Sequence, residues 1–237
     1  LEIEELSKDI LTPGRVEELF AAREGGYRFS RWGRPIAPVV FGVDDETLDH
    51  LKDAMRSVVN ISGAEFAETD PELGANLMVF FCTEWDELDM VPNLGQLLPD
   101  FEILKSSLKR TGANQYRTFS FDEQGAIRVC IVLLRYDEHM ANATIQTIGV
   151  GQMTQCILLW GDEAFKDDSP IAIVPENGMC IVKPGYAALI RAAYDPAMPP
   201  SATDASHAMR LAARARILLE NLEDEGKRRQ ETGDDDA

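Results

Sequence analysis

Basic residues are scarce in this chain. Lys and Arg number 23 against 41 Asp and Glu in 237 residues, a formal net charge of −18. That balance disfavours nucleic acid and anionic membrane surfaces as partners, because both need a positive face. Histidine is scarcer still, with only His50, His139 and His207. No two lie four residues apart, so the HExxH pattern, which turns two imidazoles toward one metal ion, is missing. His50 and His207 read as surface residues of two different helices. His139, in Asp137-Glu138-His139, reads as part of a solvated helix start, with a weak cation site as the alternative. The four cysteines, Cys82, Cys130, Cys156 and Cys180, form no close ligand pair, which speaks against a zinc ribbon. Each sits among apolar neighbours, the pattern of a buried free thiol, while an even number also permits disulfides in an exported protein. No apolar run approaches the roughly 18–20 residues of a membrane helix. The phosphate-binding patterns GxGxxG and GxxxxGK[ST] and the hydrolase elbow GxSxG are also missing. No signal peptide is visible; the chain begins at Leu1 rather than Met, which a cleaved secretion leader and a trimmed terminus explain equally.

What is present is a chain with 45% apolar residues, enough to bury a full core. Residues 1–24 read as two short helices, the second opened by Thr12-Pro13. A strand follows over 35–43. Asp44 then caps a helix whose Leu48, Leu51, Met55, Val58 and Val59 share one face until Gly63 ends it. Residues 76–82 form a mostly buried strand, and 97–110 carry leucines at helical spacing. Residues 116–121 and 126–136 read as a hairpin around Asp122-Glu123-Gln124-Gly125. Pro184 starts an amphipathic helix that Asp195-Pro196 terminates, and a long helix over about 202–228 closes the chain before an acidic tail. The reading is α+β: a mixed, mainly antiparallel sheet packed with helices. Three segments are expected: N-terminal helices over 1–26, an α+β core over 27–200, and a C-terminal helix with its tail over 201–237.

The central stretch is 143–162, ATIQTIGVGQMTQCILLWGD. It holds no Lys, Arg, Asp or Glu between Ala143 and Gly161, and Ile145, Ile148, Gly149, Gln152, Met153, Cys156, Ile157 and Trp160 recur at helical spacing. A helix so free of charge in so acidic a chain belongs in the core. Gln152 and Gln155 are the polar residues that this placement has to explain.

From residue 32 to about 215 the chain resembles the DUF2927 family of bacterial envelope proteins and lipoproteins. The landmarks are Trp32 with Pro35-Ile36, Ile61-Ser62-Gly63, Ala75-Asn76-Leu77-Met78-Val79, Met153-Thr154-Gln155-Cys156 with Gly161-Asp162, Ser169-Pro170, and Lys183-Pro184-Gly185-Tyr186 leading to residues 189–196, LIRAAYDP. The resemblance implies a zincin-like scaffold and a periplasmic or envelope location. In that family the corresponding helix carries a Glu-Glu-x-x-Gln run that resembles a metallopeptidase helix; here it reads Gly151-Gln152-Met153-Thr154-Gln155. Laid on HExxH, Gly151 and Gln155 replace the ligands and Gln152 the base, and a glutamine cannot take a proton from a metal-bound water as a carboxylate does. The expectation is a degenerate, non-catalytic binding or assembly domain. Its candidate cleft comprises Gln152, Gln155, Asp162 and His139, and it is assigned no cofactor, no metal ligand and no catalytic residue. Its partner would be a protein or peptide. The alternative is a metal-dependent hydrolase with ligands drawn from Asp137, His139, Asp162 and Glu163.

Overall fold

A computed structural model describes residues 10–233. Thr12 accepts from the Arg15 N–H and caps α1 (Pro13–Leu19), whose Val16 and Leu19 are buried. The other expected N-terminal helix falls largely within residues 1–9, outside the described residues. After β1 (Phe29–Ser30) come β2 (Pro38–Phe41), α2 (Asp45–Ser62) and β3 (Leu77–Cys82). A 3-10 turn (Trp85–Met90), α3 (Leu94–Leu97) and α4 (Phe101–Thr111) lead to β4 (Gln115–Phe121) and β5 (Ile127–Arg135). The chain continues through α5 (Glu138–Ala141), α6 (Ile145–Cys156), β6 (Ile171–Ile173), β7 (Cys180–Val182), α7 (Pro184–Ala193), β8 (Ser201–Ala202) and α8 (Ser206–Gly233). No helix among the described residues is long and apolar enough to cross a membrane.

The fold is α+β. Its principal sheet has strand order β2-β3-β5-β4, parallel from β2 through β3 to β5, with β4 antiparallel to β5 at the edge. The pairs β1–β8 and β6–β7 are short and antiparallel. The expected hairpin is therefore present, but the principal sheet is mainly parallel where a mainly antiparallel one was expected. The parallel step has a local cause: α2 lies between β2 and β3 in sequence, and its length lets it carry the chain back across the sheet.

Side-chain alternation divides the sheet into two faces. Leu77 and Val79 of β3, with Cys130, Val132 and Leu134 of β5, join the larger core under α2, α6, α7 and α8. Phe80, Cys82, Ile131 and Leu133 turn to the smaller core with Trp85, Leu88, Leu94 and Leu98. An irregularity at Ser120/Phe121 shifts the hairpin register, so that Ile127 joins the larger core out of step with Val129. Phe20 of the N-terminal segment and Leu211, Ala212 and Ala215 of α8 belong to that same larger core.

Several boundaries differ from the sequence reading. Helix α4 begins at Phe101, and Leu97 and Leu98 precede it because Pro99-Asp100 interrupts the turn, with Asp100 at φ 57°. Helix α6 ends at Cys156 instead of carrying its periodicity on to Trp160. Residues 157–161 leave the helix to pair with the N-terminal segment: Arg31 bridges Leu158, Leu159 donates to Ser30, and Gly161 donates to the Leu19 carbonyl. Trp160 thus lies beyond the helix whose face it was expected to share. His207 is also not a surface residue. It is fully buried at the start of α8, against Tyr27 and Phe29; His50 is exposed as expected.

Helix α6 has the central place that its lack of charge implied, with Ile148, Gly149, Val150, Gln152, Met153, Thr154 and Cys156 all buried. It crosses α2 at Gly149, where a Cβ would stand 2.6 Å from the Ala54 Cβ and 3.3 Å from the Leu51 carbonyl oxygen. The glycine costs roughly 1 kcal/mol in helix propensity and permits this contact. Replacing it with valine is expected to lower stability by about 1–3 kcal/mol through overpacking, read as a lower urea midpoint.

Candidate functional site

The C-terminal end of α6 is unusual in its partners. A helix leaves its last carbonyls without intrahelical donors, and here side chains supply them. The Trp32 indole donates to the Cys156 carbonyl at 2.8 Å, and the Trp160 indole donates to that of Thr154 at 2.8 Å. The Tyr194 hydroxyl donates to the adjoining Ile157 carbonyl at 2.8 Å. These bonds fix the end of the helix against three other segments and so fix the side chains that project from it.

Gln152, Gln155 and Cys156 project toward β4, and Arg117 of that strand meets all three. Its guanidinium donates to Gln152 Oε1 at 2.6 Å and Gln155 Oε1 at 3.0 Å, and its Nε lies 3.2 Å from Cys156 Sγ. Gln152 Nε2 donates in turn to Gln115 Oε1 at 3.2 Å. The two glutamines are therefore hydrogen-bonded amides that hold an arginine. No carboxylate pairs with Arg117 among the described residues, despite the chain's excess of acid. Its positive charge sits beside the negative end of α6, the favourable arrangement for a helix with no basic residue in its own last turn. Of its five N–H donors three are engaged, and two have no partner among the described residues.

Arg117 and Gln155 open onto a groove of about 740 Å3. Its far wall carries Trp160, Asp162 and Phe165, and Arg28 lies at one side with its guanidinium 4.8 Å above the Phe121 ring. Trp160 stacks on Phe20 with centroids 5.1 Å apart, which holds that wall in place. The near wall is the outer edge of β4. The Arg135 N–H donates to the Asn114 carbonyl across the hairpin. Antiparallel alternation from that bond points the N–H and C=O of Gln115, Arg117 and Phe119 away from β5, toward the open side.

Three of the expected site residues are thus brought to one place. Gln155 and exposed Asp162 line the groove, and buried Gln152 backs it through Arg117. The side chain of His139 lies outside the described residues. The other candidate ligands have partners elsewhere: Asp137 accepts from Asn114 Nδ2 at 2.9 Å and from the Met140 N–H, and Glu163 pairs with Lys166 at 2.8 Å. Among the described residues no group of three or more His, Cys, Asp or Glu side chains converges where a metal ion could be held. The residue that sequence reasoning missed is Arg117. Its signal was the alternation of QYRTFSF, which puts Gln115, Arg117, Phe119 and Phe121 on one face.

The site and fold together define a mixed α+β domain with an arginine-centred groove along an open strand edge. None of the protein-family models, curated proteins or solved structures compared with the chain matches it.

Proposed function

We propose that this chain is a non-catalytic binding domain of an exported bacterial envelope protein. In this reading it is a divergent relative of the DUF2927 family on a zincin-like scaffold, and it takes an extended peptide segment along the outer edge of β4. The observation that carries the reading is the position of Arg117. The two positions at which a metallopeptidase helix would hold its base and a ligand are Gln152 and Gln155, and both amide oxygens accept from one guanidinium. A fixed cation in that place repels a divalent metal ion, and neither amide can serve as a general base. Binding is supported by the groove itself. It offers outward-facing backbone donors and acceptors for strand addition, aromatic side chains for burial, and the remaining Arg117 donors for an acceptor on the ligand. The envelope location rests on the family resemblance alone.

The test is selection of peptides from a random displayed library, followed by titration of the selected peptides. Arg117→Ala is expected to weaken binding roughly 10- to 100-fold, the loss of hydrogen bonds to a charged group. Phe119→Pro removes an outward N–H without breaking the β4–β5 ladder and should weaken binding relative to Phe119→Leu. Peptide hydrolysis on adding zinc or manganese, with anomalous scattering near Gln152 and Asp162, would establish the hydrolase alternative instead.

A further inference from the structure

We propose that Cys130 and Cys156 form a redox-active dithiol, a modification site at which a small hydroperoxide drives disulfide formation. The proposal does not depend on what the groove binds. Cys130 lies mid-strand in β5 and Cys156 is the last residue of α6; their sulfurs are 3.8 Å apart, and both residues are buried in the larger core. The other thiols have no such neighbour: Cys82 directs its S–H to the Leu134 carbonyl on the opposite face of the sheet, and Cys180 lies on β7. The sequence separates Cys130 and Cys156 by a whole helix, so only the packing of α6 on β5 brings them together.

Arg117 makes the two thiols unequal. Its guanidinium contacts Cys156 and no other cysteine sulfur. Burial opposes ionisation of Cys156, but the Cys130 S–H and the Arg117 charge outweigh it and lower the thiol's pKa; Cys130, buried and beside a forming thiolate, is pushed the other way. Cys156 is therefore the attacking sulfur, since the thiolate is the nucleophile. Arg117 is also the route of access, because its side chain lines the groove and covers Cys156 from that side.

The chemistry balances with hydrogen peroxide as oxidant. The Cys156 thiolate attacks one peroxide oxygen, an S–O bond forms, the O–O bond breaks, and the departing hydroxide takes a proton as water. Cys130, deprotonated as it attacks, then forms the S–S bond while the S–O bond of the sulfenic acid breaks and hydroxide leaves as a second water. Two thiols lose two electrons and two protons, and the peroxide is reduced to two waters. Closing the gap to the roughly 2.0 Å of a disulfide needs side-chain rotation within the core. The Arg117 Nε then faces a neutral disulfide sulfur in place of a thiol that can ionise.

The test treats the whole folded protein with hydrogen peroxide, alkylates the remaining thiols in denaturant and maps the peptides. Expected is a single Cys130–Cys156 cross-link, reversed by dithiothreitol, with Cys82 and Cys180 alkylated. In Cys130→Ser, dimedone should trap a sulfenic acid on Cys156, and Arg117→Met should slow formation of the Cys130–Cys156 bridge about tenfold. The proposal is overturned if all four thiols of the folded wild-type protein stay reduced, or if the bridge found joins Cys82 or Cys180. The wild-type map decides even if Cys130→Ser does not fold.

Discussion

Trp32→Ala should lower the stability of the protein by about 3–5 kcal/mol, the range for truncating a large buried aromatic side chain. Trp32 is 1% exposed, packs in the larger core, and bridges Ile127 of β5 through its backbone. Alanine would leave a cavity between α6 and β5. It would also leave the Cys156 carbonyl without its 2.8 Å indole donor, a buried acceptor whose loss adds about 1–3 kcal/mol where solvent cannot enter. A domain of this kind has only about 5–15 kcal/mol in total, so the variant is expected to lose a large fraction of its stability. Urea denaturation measures the effect. Trp32→Phe separates the two contributions, since it keeps most of the volume and removes only the N–H; it should cost clearly less than alanine. A loss below about 1 kcal/mol for Trp32→Ala would mean that the end of α6 is not held as described. The effect reaches the groove as well, because the same anchor fixes the turn from which Gln155 and Cys156 meet Arg117.

Much of the fold was legible because local chemistry and tertiary packing agree. Asp44 accepts from the Thr47 N–H and Gly63 adopts φ 76°, so the cap and stop read from sequence are those of α2. The hairpin, the strand Leu77–Cys82 and the helix opened by Pro184 follow from patterns that neighbours do not override. The errors lie where a long-range partner decides. Residues 157–161 continue the apolar pattern of α6, yet their backbone is claimed by Arg31, Ser30 and Leu19, and periodicity carries no record of those partners. The candidate site was legible by halves. The two glutamines stood out as polar residues on an uncharged helix, and the structure places them together with Asp162 along one groove. The arginine that they hold comes from a strand 35 residues away from Gln152 in sequence, and nothing in QYRTFSF states which helix its face will meet. The pairing of Cys130 with Cys156 was hidden for the same reason.

The stability of the protein should fall as pH drops from 7 toward 4, and His207 should account for most of the change above pH 5. Its position on the terminal helix suggested a surface histidine; the structure buries it completely where α8 meets the N-terminal segment. Its Nδ1 lies 2.6 Å from the Tyr27 hydroxyl, the Phe29 ring packs 4.3 Å away, and Nε2 has no hydrogen-bond partner among the described residues. Burial, with the nearby Arg210 charge, lowers the imidazole from its usual 6.5 to about 4. The sign follows from proton counting. Below about pH 6.5 the unfolded chain protonates this histidine and the folded protein does not, so acid favours unfolding until the folded pKa is reached. That lowering corresponds to a loss of about 3 kcal/mol by pH 4, with about 2 kcal/mol of it already lost between pH 7 and pH 5. Most carboxylates titrate below that upper interval, which isolates the histidine there. Urea melts at a series of pH values measure the slope. His207→Gln keeps a polar partner for Tyr27 and removes the titration, so its stability should be nearly flat between pH 7 and pH 5. Parallel slopes for wild type and variant in that interval would show that His207 takes up its proton as readily in the folded protein as in the unfolded chain, and would overturn the assignment of the pH dependence to this buried imidazole.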